Sequence, residues 1–185
     1  MPPIVFLERI QGMVNPFTLC YHQILFMDEE YLLGDFDVLL TDVTSVHLHH
    51  EISQKMKKAY LSDFHQNDRI LALHGVIWGP HSRIFVPGVV RIKQVKKWVY
   101  FLLDTGSPKT YLAEEVFSAF NRVLSDPTVP VSVHLNGFTT LVYQSPQQSH
   151  FSDVNLLGAD FLKTLNAKVC IDYQDDLVTI ELCEE

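Results

Sequence analysis

The stretch that most constrains this chain is residues 100–103, an apolar run that stops at an aspartate in a polar turn, Asp104-Thr105-Gly106-Ser107. Four consecutive apolar residues bounded by turn chemistry read as a strand buried on both faces. An aspartate at its end is either a turn former or a catalyst, because Asp-Thr-Gly is also ordinary turn chemistry. A second apolar run, Asn155-Leu156-Leu157-Gly158-Ala159-Asp160-Phe161-Leu162, ends its apolar part in glycine and then reads as the start of a short helix.

A strand running into Asp-Thr-Gly-Ser, followed later by an apolar-apolar-Gly segment that opens a helix, resembles the retropepsin family, the aspartic proteases of retroviruses, retrotransposons and some cellular proteins. The resemblance covers residues 83–185. It implies a mainly β protein, with a retropepsin-like acid-protease β-barrel at the C-terminal end; residues 1–80, which it does not cover, read from their own pattern as a small α+β region of unknown role. It also implies that Asp104 is catalytic, that Thr105 reaches toward a partner's backbone, and that Ser107 hydrogen-bonds near the carboxylate. Gly106 would let two loops approach closely, while Leu156, Leu157 and Gly158 would pack behind them. Asp160 reads as a helix-start residue and not as a second catalytic acid.

Metal-free peptide hydrolysis without a covalent nucleophile needs one carboxylate to take a proton from water and a second carboxyl to donate one. Two aspartates about 3 Å apart cannot both ionise, so they share a proton. The chain holds a single Asp-Thr-Gly and no internal repeat. The other half of the dyad is therefore expected from a two-fold homodimer, in which a residue on the axis meets its own copy. An extended peptide or protein substrate would lie between the subunits, and mild acid should favour activity.

Taken in order, residues 4–7, 18–26 and 36–40 read as strands and residues 50–64 as a helix, with Ile52, Met56, Ala59, Tyr60 and Phe64 at helical spacing. A strand is expected over 70–78, and Gly79-Pro80-His81-Ser82 is the expected boundary between the two regions. Val89, Val90, Ile92 and Val95 lead to a turn at Lys96-Lys97 and a strand over 98–103. Thr110 is the expected cap of a helix carrying Leu112, Val116, Ala119, Phe120 and Val123 as one stripe, ended by Ser125-Asp126-Pro127. Residues 129–135 and 138–143 flank Asn136-Gly137, the strongest signal for a tight hairpin in the chain. Residues 168–173 and 177–182 alternate as a closing hairpin.

Composition narrows the remaining classes. A net charge of −8 without a basic block gives no electrostatic footprint for nucleic acid. Lys55, Lys57 and Lys58 read as a solvated helix face, and Arg91, Lys93, Lys96 and Lys97 as a hairpin turn. No apolar run approaches a membrane span, and the first residues lack a signal-peptide pattern. Cys20, Cys170 and Cys183 are scattered without metal-type spacing, so a cytoplasmic or nuclear setting is expected. The His47-Leu48-His49-His50 cluster fits either metal ligation or a surface strand passing into a helix start. Nothing nearby completes a metal site, so the second reading is expected, with no metal and no cofactor.

One departure from the family bears on activity. Its glycine-rich flap should lie between Asp104 and the hairpin over 131–143, yet residues 111–130 contain no glycine and read as a helix. Either Asn136-Gly137 serves as a short flap, residues 1–80 supply a lid, or the domain no longer cleaves peptides. The alternative to an aspartic endopeptidase is thus a catalytically weak or inactive retropepsin-like domain acting as a dimerisation or peptide-binding module.

Overall fold

The computed structural model describes residues 40–183, which fall within one compact unit. The strands expected at 4–7, 18–26 and, but for its last residue, 36–40 lie outside the described residues, as does Cys20.

The architecture is mainly β, as expected. Among the described residues there are nine strands: β1 (Ala72–Trp78), β2 (Arg83–Ile92), β3 (Val95–Leu103), β4 (Tyr111–Leu112), β5 (Val131–Leu135), β6 (Phe138–Gln144), β7 (Asn155–Leu157), β8 (Lys168–Asp172) and β9 (Leu177–Glu181). Six of them close a barrel in the order β3-β7-β4-β6-β5-β2, with β2 returning to β3. The other three extend from β2 in the order β1-β9-β8.

Strand β2 joins the two parts. One of its edges pairs with β3 over residues 85–92, from Phe85↔Leu102 to Ile92↔Val95. The opposite edge is shared, pairing with β1 at residues 83–85 and with β5 at Val90 and Arg91. Pro87 sits between these two stretches. The Val89 carbonyl accepts from Asn136 N and the Val89 amide donates to Asn136 Oδ1, so odd-numbered residues of β2 aim their backbone groups at this shared edge. The N–H that Pro87 lacks would point into the gap between β1 and β5, where a ladder loses nothing.

Several sequence expectations are corrected. The helix expected over 50–64 begins and ends earlier. Helix α1 runs through Ser45–His47, a π-helical turn at Leu48–Ile52, and Ser53–Met56. It stops because Lys57 takes a left-handed conformation at φ 54°. Beyond it the apolar residues lie in a turn and irregular chain held by other partners: Tyr60 N donates to Ser53 Oγ, Leu61 N to the Trp98 carbonyl and Phe64 N to the Lys96 carbonyl. The His47–His50 cluster therefore lies inside a helix and not on a strand. The β2–β3 turn falls at Lys93-Gln94, with Lys93 at φ 57°, whereas Lys96 and Lys97 already belong to β3. Their charges, with Arg91, bind carboxylates of the preceding segment: Arg91 Nε and Lys96 Nζ lie 2.7 and 3.1 Å from Asp68, and Lys97 Nζ lies 2.7 Å from Asp63.

Gly79-Pro80-His81-Ser82, expected to separate two regions, is instead the turn of the β1–β2 hairpin, with Trp78 opposite Arg83. Residues 40–80 contribute Leu48, Ile52, Tyr60 and Leu73 to the same buried core as the barrel. The physical reason is pairing: β1 is hydrogen-bonded on both sides, to β2 and to β9.

Candidate active site

Strands β3 and β7 lie side by side and parallel, with Phe101↔Asn155, Leu102↔Leu156 and Leu103↔Leu157 in register. This places the end of one motif against the end of the other. Asp104 N donates to the Leu157 carbonyl at 3.1 Å, and Ala159 N donates to the Ser107 carbonyl at 2.8 Å. The loop 104–107 is thus stapled at both ends to residues 157–159, which end β7 and open helix α3 (Ala159–Thr164); helix α2 (Glu114–Ala119) lies between the two motifs in sequence.

Within the loop, Asp104 is half-buried. Its Oδ1 accepts hydrogen bonds from Gly106 N at 2.9 Å and Ser107 N at 3.0 Å. Such N–H donors hold a carboxylate in one orientation. No hydrogen bond from the described residues reaches Oδ2. Thr105 and Gly106 are exposed at the loop tip. A Cβ on Gly106 would lie 3.2 Å from Asp104 Oδ1, so glycine leaves the carboxylate room. The Ser107 hydroxyl turns away and donates to the Lys109 carbonyl at 2.7 Å; it is the Ser107 backbone that bonds the Asp104 carboxylate.

Behind the loop, Leu156, Leu157 and Gly158 are all buried. Gly158 has ordinary extended dihedrals, φ −86° and ψ 172°. Its glycine is required by space: a Cβ there would lie 2.2 Å from the Lys109 carbonyl oxygen and 2.4 Å from the Lys109 carbonyl carbon.

Thr110 and Asp160 form a link that sequence reasoning missed. The Thr110 hydroxyl donates to Asp160 Oδ1 at 2.7 Å, Thr110 N donates to Asp160 Oδ2 at 3.2 Å, and Gly158 N donates to Thr110 Oγ1 at 3.2 Å. Thr110 therefore does not cap the helix that follows. That helix, α2, has Ala113 as its N-cap, while Leu112 belongs to β4. Asp160, in the first turn of α3, also accepts from Phe161 N and anchors the exit of the 104–110 segment. No local pattern reveals such a pair, whose members are fifty positions apart.

A second buried polar link supports the strand that carries Asp104. Asn155 is fully buried; its Oδ1 accepts from Ala113 N, and its Nδ2 donates to the Tyr60 hydroxyl at 2.8 Å and the Tyr100 carbonyl at 2.9 Å. The Tyr60 ring stacks on Tyr100 at 5.5 Å, and burial pushes the Tyr60 phenol well above its usual range, so it stays neutral. One amide side chain thereby ties β3, β7, the start of α2 and the segment after α1 together.

The expected flap alternatives divide on this geometry. Asn136-Gly137 forms the β5–β6 turn with φ 51° and 82°, the left-handed pair that a tight hairpin needs. Asn136 is fully buried and doubly bonded to Val89, and Gly137 packs on Arg69. A turn fixed in the core cannot act as a lid. Where a flap would lie, residues 114–119 form α2. Beside it, a cleft of about 620 Å³ is lined by Tyr111, Phe117, Leu124, Tyr143 and Gln147 among others, and Asp104 does not line it.

Two of the three histidines of α1, His47 and His49, have partners of their own. His47 Nδ1 accepts from Thr44 N at 3.0 Å and its ring lies 5.0 Å from Trp78, while His49 Nε2 lies 2.6 Å from Glu115 Oε1. Among the described residues, no group of three or more His, Cys, Asp or Glu side chains is placed to hold a metal ion. No helix among them is long and apolar enough to cross a membrane.

No family model and no curated protein matches the chain. Among solved structures it is similar to a retropepsin-like aspartic protease from Rickettsia conorii, with a TM-score of 0.42 and 18% identity over 67% of this chain and 96% of that one. A likeness of that degree assigns no residue a role.

Proposed function

We propose that the protein is an aspartic endopeptidase of retropepsin type, in which Asp104 from each of two copies forms the catalytic dyad. One observation carries the reading: the Asp104 carboxylate is oriented through Oδ1 by two backbone N–H groups, while Oδ2 is left without a partner in an exposed glycine-containing loop. In the dyad, one carboxylate takes a proton from water as it attacks the peptide carbonyl, and the protonated partner donates to the carbonyl oxygen. Thr105 and Gly106, at the loop tip, would face the partner loop.

The test is hydrolysis of a broad peptide library across pH 4 to 7, comparing wild type with Asp104→Asn and using sedimentation to show the same oligomeric state. The substitution keeps the shape and removes the charge, so cleavage should disappear while the dimer persists. A dimeric wild type that cleaves nothing would sink the reading.

A second reading has its own support. With α2 where a flap would lie and the Asn136-Gly137 turn buried, no hairpin of the described residues covers the Asp104 loop. Lid closure excludes water and holds substrate. Without it, the same dimer would act as a peptide-binding or dimerisation module with weak or no hydrolysis. Binding of library peptides that survives in Asp104→Asn, without cleavage by either protein, distinguishes this case.

A further inference from the structure

Strand β8 ends the sheet: among the described residues it pairs with β9 alone. All five of its residues, Lys168-Val169-Cys170-Ile171-Asp172, are exposed. Exposed strand edges recruit another strand unless something covers or blocks them.

The direction of the free backbone groups follows from the neighbouring ladder. Leu182 N donates to the Leu71 carbonyl and Ile77 N to the Asp176 carbonyl, so the even-numbered residues of this part of the chain face β1. In β9, the odd-numbered residues, 177, 179 and 181, therefore face β8. They stand opposite Asp172, Cys170 and Lys168. Those three residues spend their backbone groups on β9, which leaves the N–H and C=O of Val169 and Ile171 pointing outward. The same two side chains stand opposite the buried Ile180 and Val178, so they continue the apolar face of the sheet to its rim, where they remain 37% and 38% exposed.

We propose that the β8 edge is a self-association surface, pairing antiparallel with β8 of a second copy in the register centred on Cys170. The proposal rests on the two-fold dimer that the dyad requires, and it names the strand that holds it. The outward groups allow Val169 to exchange both hydrogen bonds with Ile171 of the second copy, and vice versa. In the same register Lys168 opposes Asp172 of the copy at each end, giving two opposite-charge pairs on one face, with two Val–Ile pairs on the other. Pairing centred on Val169 or Ile171 also aligns outward groups, but it sets Cys170 against Lys168 or Asp172 and loses both charge pairs. The sequence Lys-Val-Cys-Ile-Asp is thus complementary to itself in one register, as a two-fold interface demands.

The register has a chemical signature. Cys170 would meet its own copy as a non-hydrogen-bonded pair, with Cα atoms about 4.5 Å apart, which is within disulfide range. The experiment uses the full chain with Cys20→Ser and Cys183→Ser, so that Cys170 is the sole thiol, treated with diamide. Diamide takes two electrons and two protons from the two thiols as the S–S bond forms and is itself reduced to the hydrazine. A covalent dimer is expected in high yield. The same background with Cys170→Ser and Ile171→Cys should cross-link poorly, since residue 171 opposes Val169 of the copy and not itself.

Lys168→Asp should weaken dimerisation about tenfold by placing like charges opposite each other, and adding Asp172→Lys should restore it. Equal cross-linking at both positions, or no rescue by the charge swap, would overturn the register. A monomer whose β8 amides resist hydrogen exchange would assign the edge to residues 1–39 and overturn the proposal. Cross-linking through Cys170 in a protein that shows no Asp104-dependent hydrolysis supports this interface while the dyad fails. Hydrolysis lost in Asp104→Asn without a Cys170 cross-link overturns the interface and leaves the dyad standing.

Discussion

Replacing Gly158 with alanine isolates one physical quantity, the space between the start of α3 and the loop that carries Asp104. The Gly158 dihedrals suit alanine, so no backbone penalty enters. The new methyl would lie 2.2 Å from Lys109 O, 2.4 Å from Lys109 C and 3.0 Å from Thr110 N, all of them backbone atoms that no rotamer change can move. Carbon contacts relax only near about 3.5 Å, so the two segments must part by roughly 1 Å. Overpacking of this kind costs about 1–3 kcal/mol. The same separation stretches the Ala159 N to Ser107 O and Thr110 to Asp160 bonds, which adds about 1 kcal/mol. A total near 2–4 kcal/mol corresponds to a fall in Tm of roughly 5–12 °C for a chain of this size. Thermal unfolding followed by circular dichroism, alongside peptide hydrolysis, reads both consequences: the variant should melt lower and lose activity even where it remains folded. A Gly158→Ala protein melting within about 1 °C of wild type would refute the claim that close packing at this glycine positions the loop.

The Thr110–Asp160 link makes a separate prediction. Thr110→Val should cost about 1–3 kcal/mol in urea unfolding, because it leaves the buried Gly158 amide unpaired and removes one of the two hydrogen bonds to Asp160 Oδ1, while Thr110→Ser should stay close to wild type. Acid stability should depend on Asp68. Its burial would raise the carboxyl, but hydrogen bonds from Arg91 and Lys96 outweigh that and bring it down to about 2 from 3.8. The stabilisation is therefore complete above about pH 4 and lost as the pH falls toward 2, a contribution of about 1–2 kcal/mol after allowance for solvent screening. Stability measured from pH 7 to 2 should show this step in wild type, and Asp68→Asn should start lower and lack the step.

Elements whose evidence is local were legible in the sequence. The Asn136-Gly137 turn, the apolar run into Asp104, the 155–157 strand and the 168–182 hairpin all appear where residue pattern places them. Misreadings arose where a distant partner overrode local preference. Ala59, Tyr60 and Phe64 continue a helical stripe on paper, yet Ser53 Oγ and the β3 carbonyls of Trp98 and Lys96 take up the backbone amides of Tyr60, Leu61 and Phe64 after Lys57 reverses the helix. Thr110 has the chemistry of a helix cap, but Asp160 claims its hydroxyl. Gly79-Pro80 carries the composition of a linker, and whether such a turn divides or joins depends on whether the flanking strands pair.

The sequence by itself determined which residues could carry the chemistry, because an aspartate at the end of an apolar strand and a glycine after a second one are written in residue type and order. Only the tertiary structure decided that β3 and β7 lie parallel and in register, that Asp104 offers one carboxylate oxygen while backbone amides hold the other, and that the Asn136-Gly137 turn is buried and no lid. The reason is physical: strand identity depends on nearby residue pattern, whereas strand pairing and the burial of a turn depend on groups brought together from positions tens of residues apart.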